Sequence, residues 1–358
     1  MSSSSHAQDV FILTCDKAKQ LAKASESLCF SLIFLGIVIN ASVCGIMLRN
    51  KIVLKNLSNF FVFHLSVVDL IFRLLTVGPL IYLSAEYTTD HADVPCKLFH
   101  FFSSICGAAF FVTLVVISVD VYRDAASPLK GLMSRRTPFL FVFAVWLYAI
   151  ICSAPVIYSS QSASYSEISN ALPNDPQGGL INCSVPKLCD YLRHWSGQLS
   201  NTLFFVMAFI VPLVVIVTLF VLTFFHLRRD HNSGTISSET AKAKQKLTRM
   251  LIALSMGVVI CWGPVVIIST LRSFNMLNGQ SDVVLVLVIV SELMKYLNSL
   301  FNPLIFAYYI PNFKKDLLGL CFCRICCGTA KEAEQPSIRP KHLQVIHSTE
   351  YRDSQTMM

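Results

Sequence analysis

Charge is what this chain has least of. Asp, Glu, Lys and Arg make up 14% of its 358 residues, against 54% hydrophobic residues, and mean hydropathy is +0.59. A soluble domain carries roughly a quarter of its residues as charges, so an ordinary water-facing fold is excluded. Repeats of about 20–50 residues are missing, which removes solenoids and propellers. No Gly/Ser-rich linker divides the chain. There is no channel filter motif and no converging Ser-His or His-rich arrangement for intramembrane hydrolysis. Inverted repeats with broken helices, the mark of secondary transporters, are also missing.

What is abundant is apolar sequence in blocks. A membrane-crossing helix needs about 20 mainly apolar residues. Residues 27–48, 98–119, 138–166, 199–227 and 250–271 contain no Asp, Glu, Lys or Arg, while 57–85 and 283–309 are equally long but hold ionisable residues. Seven spans, an all-α membrane bundle, are expected. The first begins too far along the chain, and lacks the basic flank and cleavage site, for a removable signal peptide. The expected divisions are an extracellular tail (1–26), a seven-span domain (27–325) and a disordered cytoplasmic tail (326–358).

Basic residues give the orientation. Arg49, Lys51 and Lys55 follow the first span; Arg123, Lys130, Arg135 and Arg136 the third; Arg228, Arg229, Lys242, Lys244, Lys246 and Arg249 flank the fifth connection; Lys314, Lys315 and Arg324 follow the seventh. The alternate connections are acidic or mixed: Glu86, Asp90 and Asp93, then Asp175, Lys187, Asp190 and Arg193. The N-terminus is expected outside and the C-terminus in the cytoplasm, at the plasma membrane. The net charge of +8 then faces anionic lipid and needs no nucleic acid.

The cysteines divide by compartment. An oxidising exterior favours a bridge from Cys96 to Cys183 or Cys189. Cys183 is preferred, with Cys189 free or paired to Cys15. Asn182-Cys183-Ser184 is a glycosylation sequon on the outer face. Cys321, Cys323, Cys326 and Cys327 follow a short amphipathic stretch and read as palmitoylation sites. Metal binding competes through Cys323-x-x-Cys326, but no second pair or histidine cluster completes four ligands.

Polar residues inside the spans concentrate the functional signal. Asn40, Asp69, Asn298, Ser299 and Asn302 are expected to form one hydrogen-bonded core, with Asp69 accepting from amides or from a bound cation such as Na+. The alternative is interhelical glue, at about 0.6–2 kcal/mol per contact. Asp69 and Asp120 lie at different depths, so they do not pair for chemistry.

Taken in order, these motifs resemble the rhodopsin-like (class A) G-protein-coupled receptors over about residues 27–325. The resemblance rests on residues 36–40, LSVVDL at 65–70, Cys96, Trp146 with Pro155, Pro212, CWGP at 261–264, NPLIF at 302–306 and Phe313. It implies a non-enzymatic cell-surface receptor that binds an extracellular ligand and signals to a heterotrimeric G protein, an arrestin or both. Helix six would swing outward on activation, hinged at Pro264. Ser337, Ser348, Thr349, Ser354 and Thr356 would be kinase targets.

The chain departs from this family at its switch. In ISVDVYRDAASPLK, Asp120 and Tyr122 match the acid-arginine-tyrosine pattern, but Val121 replaces the arginine. Arg123 lies two residues away, on a different face, and is not expected to substitute for it. Phe306 and Phe220 stand where the family has tyrosines. Weak, altered or arrestin-biased coupling is expected; a decoy or heterodimer partner is the alternative, and a transporter the non-receptor reading.

For the ligand, Ser103 replaces the aspartate of amine receptors. Tyr296 occupies the position of the retinal lysine, with Lys295 rotated about 100° away. The expected contacts are Ser103, Cys106, Gly107, Trp262, Arg272, Glu292 and Tyr296. Arg73 is expected to pair with Asp69 or Glu292, and Glu292 with Lys295 as an alternative to ligand contact. A peptide matching Arg272 and Glu292 fits best; a lipid or small acid is second.

Overall fold

Backbone N–H and C=O groups have no water to bond in hydrocarbon, so each apolar block closes into a helix. The computed structural model describes residues 15–54, 57–85, 93–126, 137–163, 188–191, 194–232, 238–277, 282–310 and 313–316. Long helices fill most of these: α1 Cys15–Arg49, α2 Leu57–Ala85, α3 Asp93–Ala126, α4 Thr137–Ser159, α5 in the consecutive segments Trp195–Phe204, Phe205–Ile210 and Val211–Asn232, α6 Ser238–Ser273 and α7 Asp282–Tyr309. Six are long and apolar enough to cross a membrane; α7, with Glu292 and Lys295 on it, completes the seven-helix bundle. Asn182, Cys183, the four cysteines at 321–327 and the tail 326–358 lie outside the described residues.

Apart from the second, which coincides with α2 at 57–85, the spans expected from apolarity are shorter than the helices, because polar turns continue them. α6 starts at Ser238, well before the apolar run at 250, through Lys242, Lys244 and Lys246. The fourth span is the exception. It was expected to reach residue 166, but α4 ends at Ser159 and Ser160–Ala163 forms a strand, β1. The Ser160 hydroxyl donates to the Val156 carbonyl at 2.7 Å, giving the backbone there an alternative to the helix ladder. β1 pairs antiparallel with β2, Leu188–Tyr191, placing Ser162 opposite Cys189. In α5 the middle segment is a π turn whose last bond runs from Val211 N–H to the Val206 carbonyl. Pro212, which has no N–H to donate, follows at once, and the wider turn absorbs the misfit.

α3 is the central rod and packs against α2, α4, α5 and α6. Its small residues Gly107, Ala108 and Ala109 are buried and let neighbours approach closely. One polar clamp was not anticipated. Trp146 Nε1 donates to His64 Nε2 at 3.1 Å, so the His64 proton sits on Nδ1 and is donated to Thr113 Oγ1 at 3.2 Å. The threonine passes its own proton to the Ala109 carbonyl, tying α2, α3 and α4 together. Away from the core, Phe139, Leu140, Phe143, Leu147 and Ile151 of α4 are exposed apolar residues, consistent with a lipid-facing surface.

Candidate functional site

Three polar centres stand one above another along the bundle. The middle one gathers around Asp69. Asn40 Nδ2 donates to Asp69 Oδ2 at 2.7 Å, and also to the carbonyls of Gly36 (3.0 Å) and Ser299 (3.3 Å). The Ser299 hydroxyl donates to the same Asp69 oxygen. Asn298 and Asn302 are buried on the same helix as Ser299. α1, α2 and α7 thus meet at one carboxylate, through Asn40 and Ser299 of the expected set.

The decisive partner is Arg73, one helical turn from Asp69 and 0% exposed. Its Nε lies 3.5 Å from Asp69 Oδ2, and its Nη2 donates to the Tyr296 carbonyl at 2.8 Å. Of the two partners expected for Arg73, the aspartate takes it. Glycine at 36 makes the fit: a Cβ there would meet Ser299 Oγ at 2.8 Å and the guanidinium closer still. Sodium is disfavoured here, because a tethered cation already compensates the carboxylate and an added ion would place a second positive charge beside Arg73.

The centre toward the Cys96 end of α3 is a second ion pair, of a buried lysine with a half-buried glutamate. Lys295 Nζ sits 2.5 Å from Glu292 Oε2 and donates to Ser103 Oγ at 3.0 Å; the lysine is 2% exposed. Four rings surround its ammonium: Phe99 at 4.9 Å, Tyr296 at 5.6 Å, Phe72 at 5.8 Å and Trp262 at 6.0 Å. These distances are in the range of cation–π attraction. Gly107 lies under Trp262, where an added Cβ would come within 2.8 Å of the indole. Cys106 and Arg272 are buried nearby in the chain on α3 and α6.

Phe72 and Tyr296 connect the two centres. Their rings stack at 5.3 Å, with the Arg73 guanidinium 5.8 and 5.7 Å from the two centroids. The Lys295 ammonium attends the same two rings. Trp262 touches Phe72 at 5.3 Å and Phe110 at 6.0 Å. One aromatic pair thus lies between Glu292–Lys295 and Asp69–Arg73. Phe72 and Lys295 were not among the residues expected to form the site; burial of a lysine in an apolar run was the available signal.

The bridge at the start of α3 joins Cys96 to Cys189, Cα atoms 5.3 Å apart, and not to the preferred Cys183. Pairing of β2 with β1, beside the start of α3, carries Cys189 to Cys96.

At the opposite end, Asp120 accepts from Ser58 Oγ at 2.9 Å and from Arg123 Nη2 at 3.0 Å. The expectation for Arg123 needs correction: it cannot share a face with Val121, but it is three residues from Asp120, and that spacing does. It pairs with Asp120 on a partly exposed side chain. Val121 itself is buried among apolar neighbours. Tyr122 meets the His226 ring edge-on at 5.5 Å. Phe306 is buried with its ring 6.5 Å from Phe313, and Phe220 packs against the core. α6 is tied to α3 here by Lys244 Nζ donating to the Asp124 carbonyl at 2.7 Å, a lysine satisfying a helix C-terminus.

Comparison with known proteins agrees with this arrangement. The profile of the family described as 7 transmembrane receptor (rhodopsin family) matches residues 39–306. The chain is 24% identical over 295 residues to the allatostatin-A receptor of Bombyx mori, covering 80% of this chain and 76% of that one. It is 25% identical over 321 residues to neuropeptide FF receptor 2 of Mus musculus, covering 87% and 75%. The crystal structure of squid rhodopsin superposes with a TM-score of 0.67 at 16% identity, covering 91% of this chain and 94% of that one.

Proposed function

Because the chain belongs to the rhodopsin family of seven-transmembrane receptors, we propose that its outer centre binds an extracellular peptide. The message then passes to a cytoplasmic G protein, an arrestin or both. The N-terminus faces outside and the C-terminus the cytoplasm, as the basic connections require. The receptor class and multi-pass membrane fold follow from the family; the peptide, the partners and the orientation are our reading.

The observation that carries it is the ion pair of buried Lys295 with half-buried Glu292. The cation-accepting ring cage is filled by the chain's own ammonium, which disfavours a small amine. A peptide brings charges of both signs and can compete for Glu292, Lys295 and Arg272 together. The relatives above, receptors for allatostatin-A and neuropeptide FF by name, support the same class. Ligand binding shifts the bundle only by differential affinity for its two arrangements, and the Phe72–Tyr296 stack is the connecting element we assign to that shift.

A peptide-library screen on cells expressing the chain, read by second messenger and arrestin recruitment in parallel, tests this. A peptide response that disappears in Lys295→Met is expected; a response to amines alone would overturn it.

Coupling to G proteins is weakened in this reading, since Val121 is buried and apolar where the family's arginine reaches its partner. Val121→Arg is expected to raise G-protein activation by about 5-fold or more, within the usual range of coupling energies. An equal, strong response from both forms would dismiss the idea.

A further inference from the structure

The bundle carries another built feature, away from the centres described above. Between the basic end of α6 and the end of α7 lies a cleft of about 480 Å³, lined by Lys242, Gln245, Lys246, Arg249, Tyr308 and Tyr309. Three of these six side chains are cations and none is an anion. The two tyrosines stand edge to face, ring centroids 4.9 Å apart, with Tyr308 79% exposed.

What leads into the cleft identifies its occupant. On α6, Arg249 is followed on the same face by Ile252, Met256 and Ile260, all exposed, at the three- and four-residue steps that stack side chains along a helix. On α7, Phe301, Leu304 and Tyr308 form a matching exposed row, with Leu304 65% exposed. α6 and α7 pack side by side. Two apolar rows suited to hydrocarbon therefore end in a pocket of positive charge and phenolic hydroxyls.

We infer that this cleft binds the multiply phosphorylated headgroup of an inner-leaflet lipid, its acyl chains lying along the rows from Ile252 to Ile260 and from Phe301 to Tyr308. Guanidinium and ammonium groups match phosphate oxygens, tyrosine hydroxyls donate to the same oxygens, and the rows exclude a purely soluble anion as the preferred occupant. A lipid held here bridges α6 to α7 at the end where α6 is also tied to α3 by Lys244. It therefore biases any outward motion of α6 in proportion to how differently it binds the two arrangements. The placement on the inner leaflet rests on the orientation proposed above.

The test uses the full chain in detergent micelles, where both ends of the bundle are open to the probe, so a wrong orientation cannot mimic failure. Binding is measured by native mass spectrometry for short-chain phosphatidylinositol 4,5-bisphosphate, phosphatidylserine, soluble inositol trisphosphate and a doubly phosphorylated peptide. Phosphatidylinositol 4,5-bisphosphate is expected to bind tightest. Replacing Lys242, Lys246 and Arg249 together by glutamine should weaken it about 5-fold per cation removed, roughly 100-fold in all. Replacing Lys97, near the start of α3, by glutamine should leave it within about 2-fold, since α3 rises about 40 Å between Lys97 and Asp124, the residue beside Lys244, several screening lengths away. Thermal melting in lipid-free detergent confirms that the variants fold, and a photoreactive lipid on the unmutated chain should label the α6 and α7 segments. Equal affinity in the triple variant, labelling elsewhere, or inositol trisphosphate or the phosphopeptide binding as tightly as the lipid would each overturn the assignment.

Discussion

Replacing Arg73 by methionine will destabilise this receptor by about 3–5 kcal/mol, the usual cost of stranding one member of a buried ion pair. Asp69 is enclosed on every side, and its other partners are the neutral groups of Asn40 and Ser299. The experiment is thermal unfolding in detergent, read on purified protein. Asp69→Asn in the same chain should recover most of the loss, because the uncompensated charge is then gone while the amide keeps hydrogen bonds to its neighbours. Gly36→Ala supplies an independent check. Its added carbon collides with the guanidinium, at about 1–3 kcal/mol of overpacking, but should cost much less when Arg73 is already methionine. Additive effects of Gly36→Ala and Arg73→Met would mean that the glycine and the arginine are not interlocked.

Removing the outer bridge has the second large effect. Cys96→Ser and Cys189→Ser should each cost about 4–5 kcal/mol, since the bridge closes a sequence separation of 93 residues and the entropic constraint grows with loop size. Cell-surface yield and melting temperature should fall alike in the two variants, and the double variant should be no worse than either. Cys183→Ser should behave as the unmutated chain. A loss with Cys183→Ser matching that of Cys96→Ser, with Cys189→Ser silent, would assign the bridge the other way.

These residues also show what the amino-acid pattern could and could not reveal. Seven charge-poor blocks and one motif per block suffice for the bundle, because hydrocarbon leaves the backbone no choice but helices. The meeting of Asn40, Asp69 and Ser299 has a physical reason visible in the pattern, since such groups are costly at that depth unless they bond one another. Helix ends were less legible, since apolarity marks the membrane and not the helix. α6 runs out through its lysines, and α4 stops early where Ser160 bonds back to Val156. Cys189 could not be separated from Cys183 without the β1–β2 register, which is a tertiary fact.

Lys295 is the most instructive miss. One turn of helix separates it from Glu292, so an ordinary intrahelical pair accounts for its charge, and nothing local reveals that four rings from α2, α3, α6 and α7 converge on it. Arg123 was misjudged for a different reason. Its spacing of two from Val121 hides its spacing of three from Asp120, the residue it pairs with. Phe220 and Phe306 keep the rings that the core needs, and packing alone accounts for what the structure shows of them.

The receptor carries its central cation, Arg73, on its own chain beside Asp69. Melting temperature and agonist affinity measured in sodium chloride and in choline chloride of equal ionic strength test this most directly. No difference between the two salts is predicted for the unmutated protein, and a sodium-dependent rise in melting temperature is predicted for Arg73→Met. A clear sodium dependence in the unmutated protein, abolished by Asp69→Asn, would show that an ion and not Arg73 neutralises the aspartate.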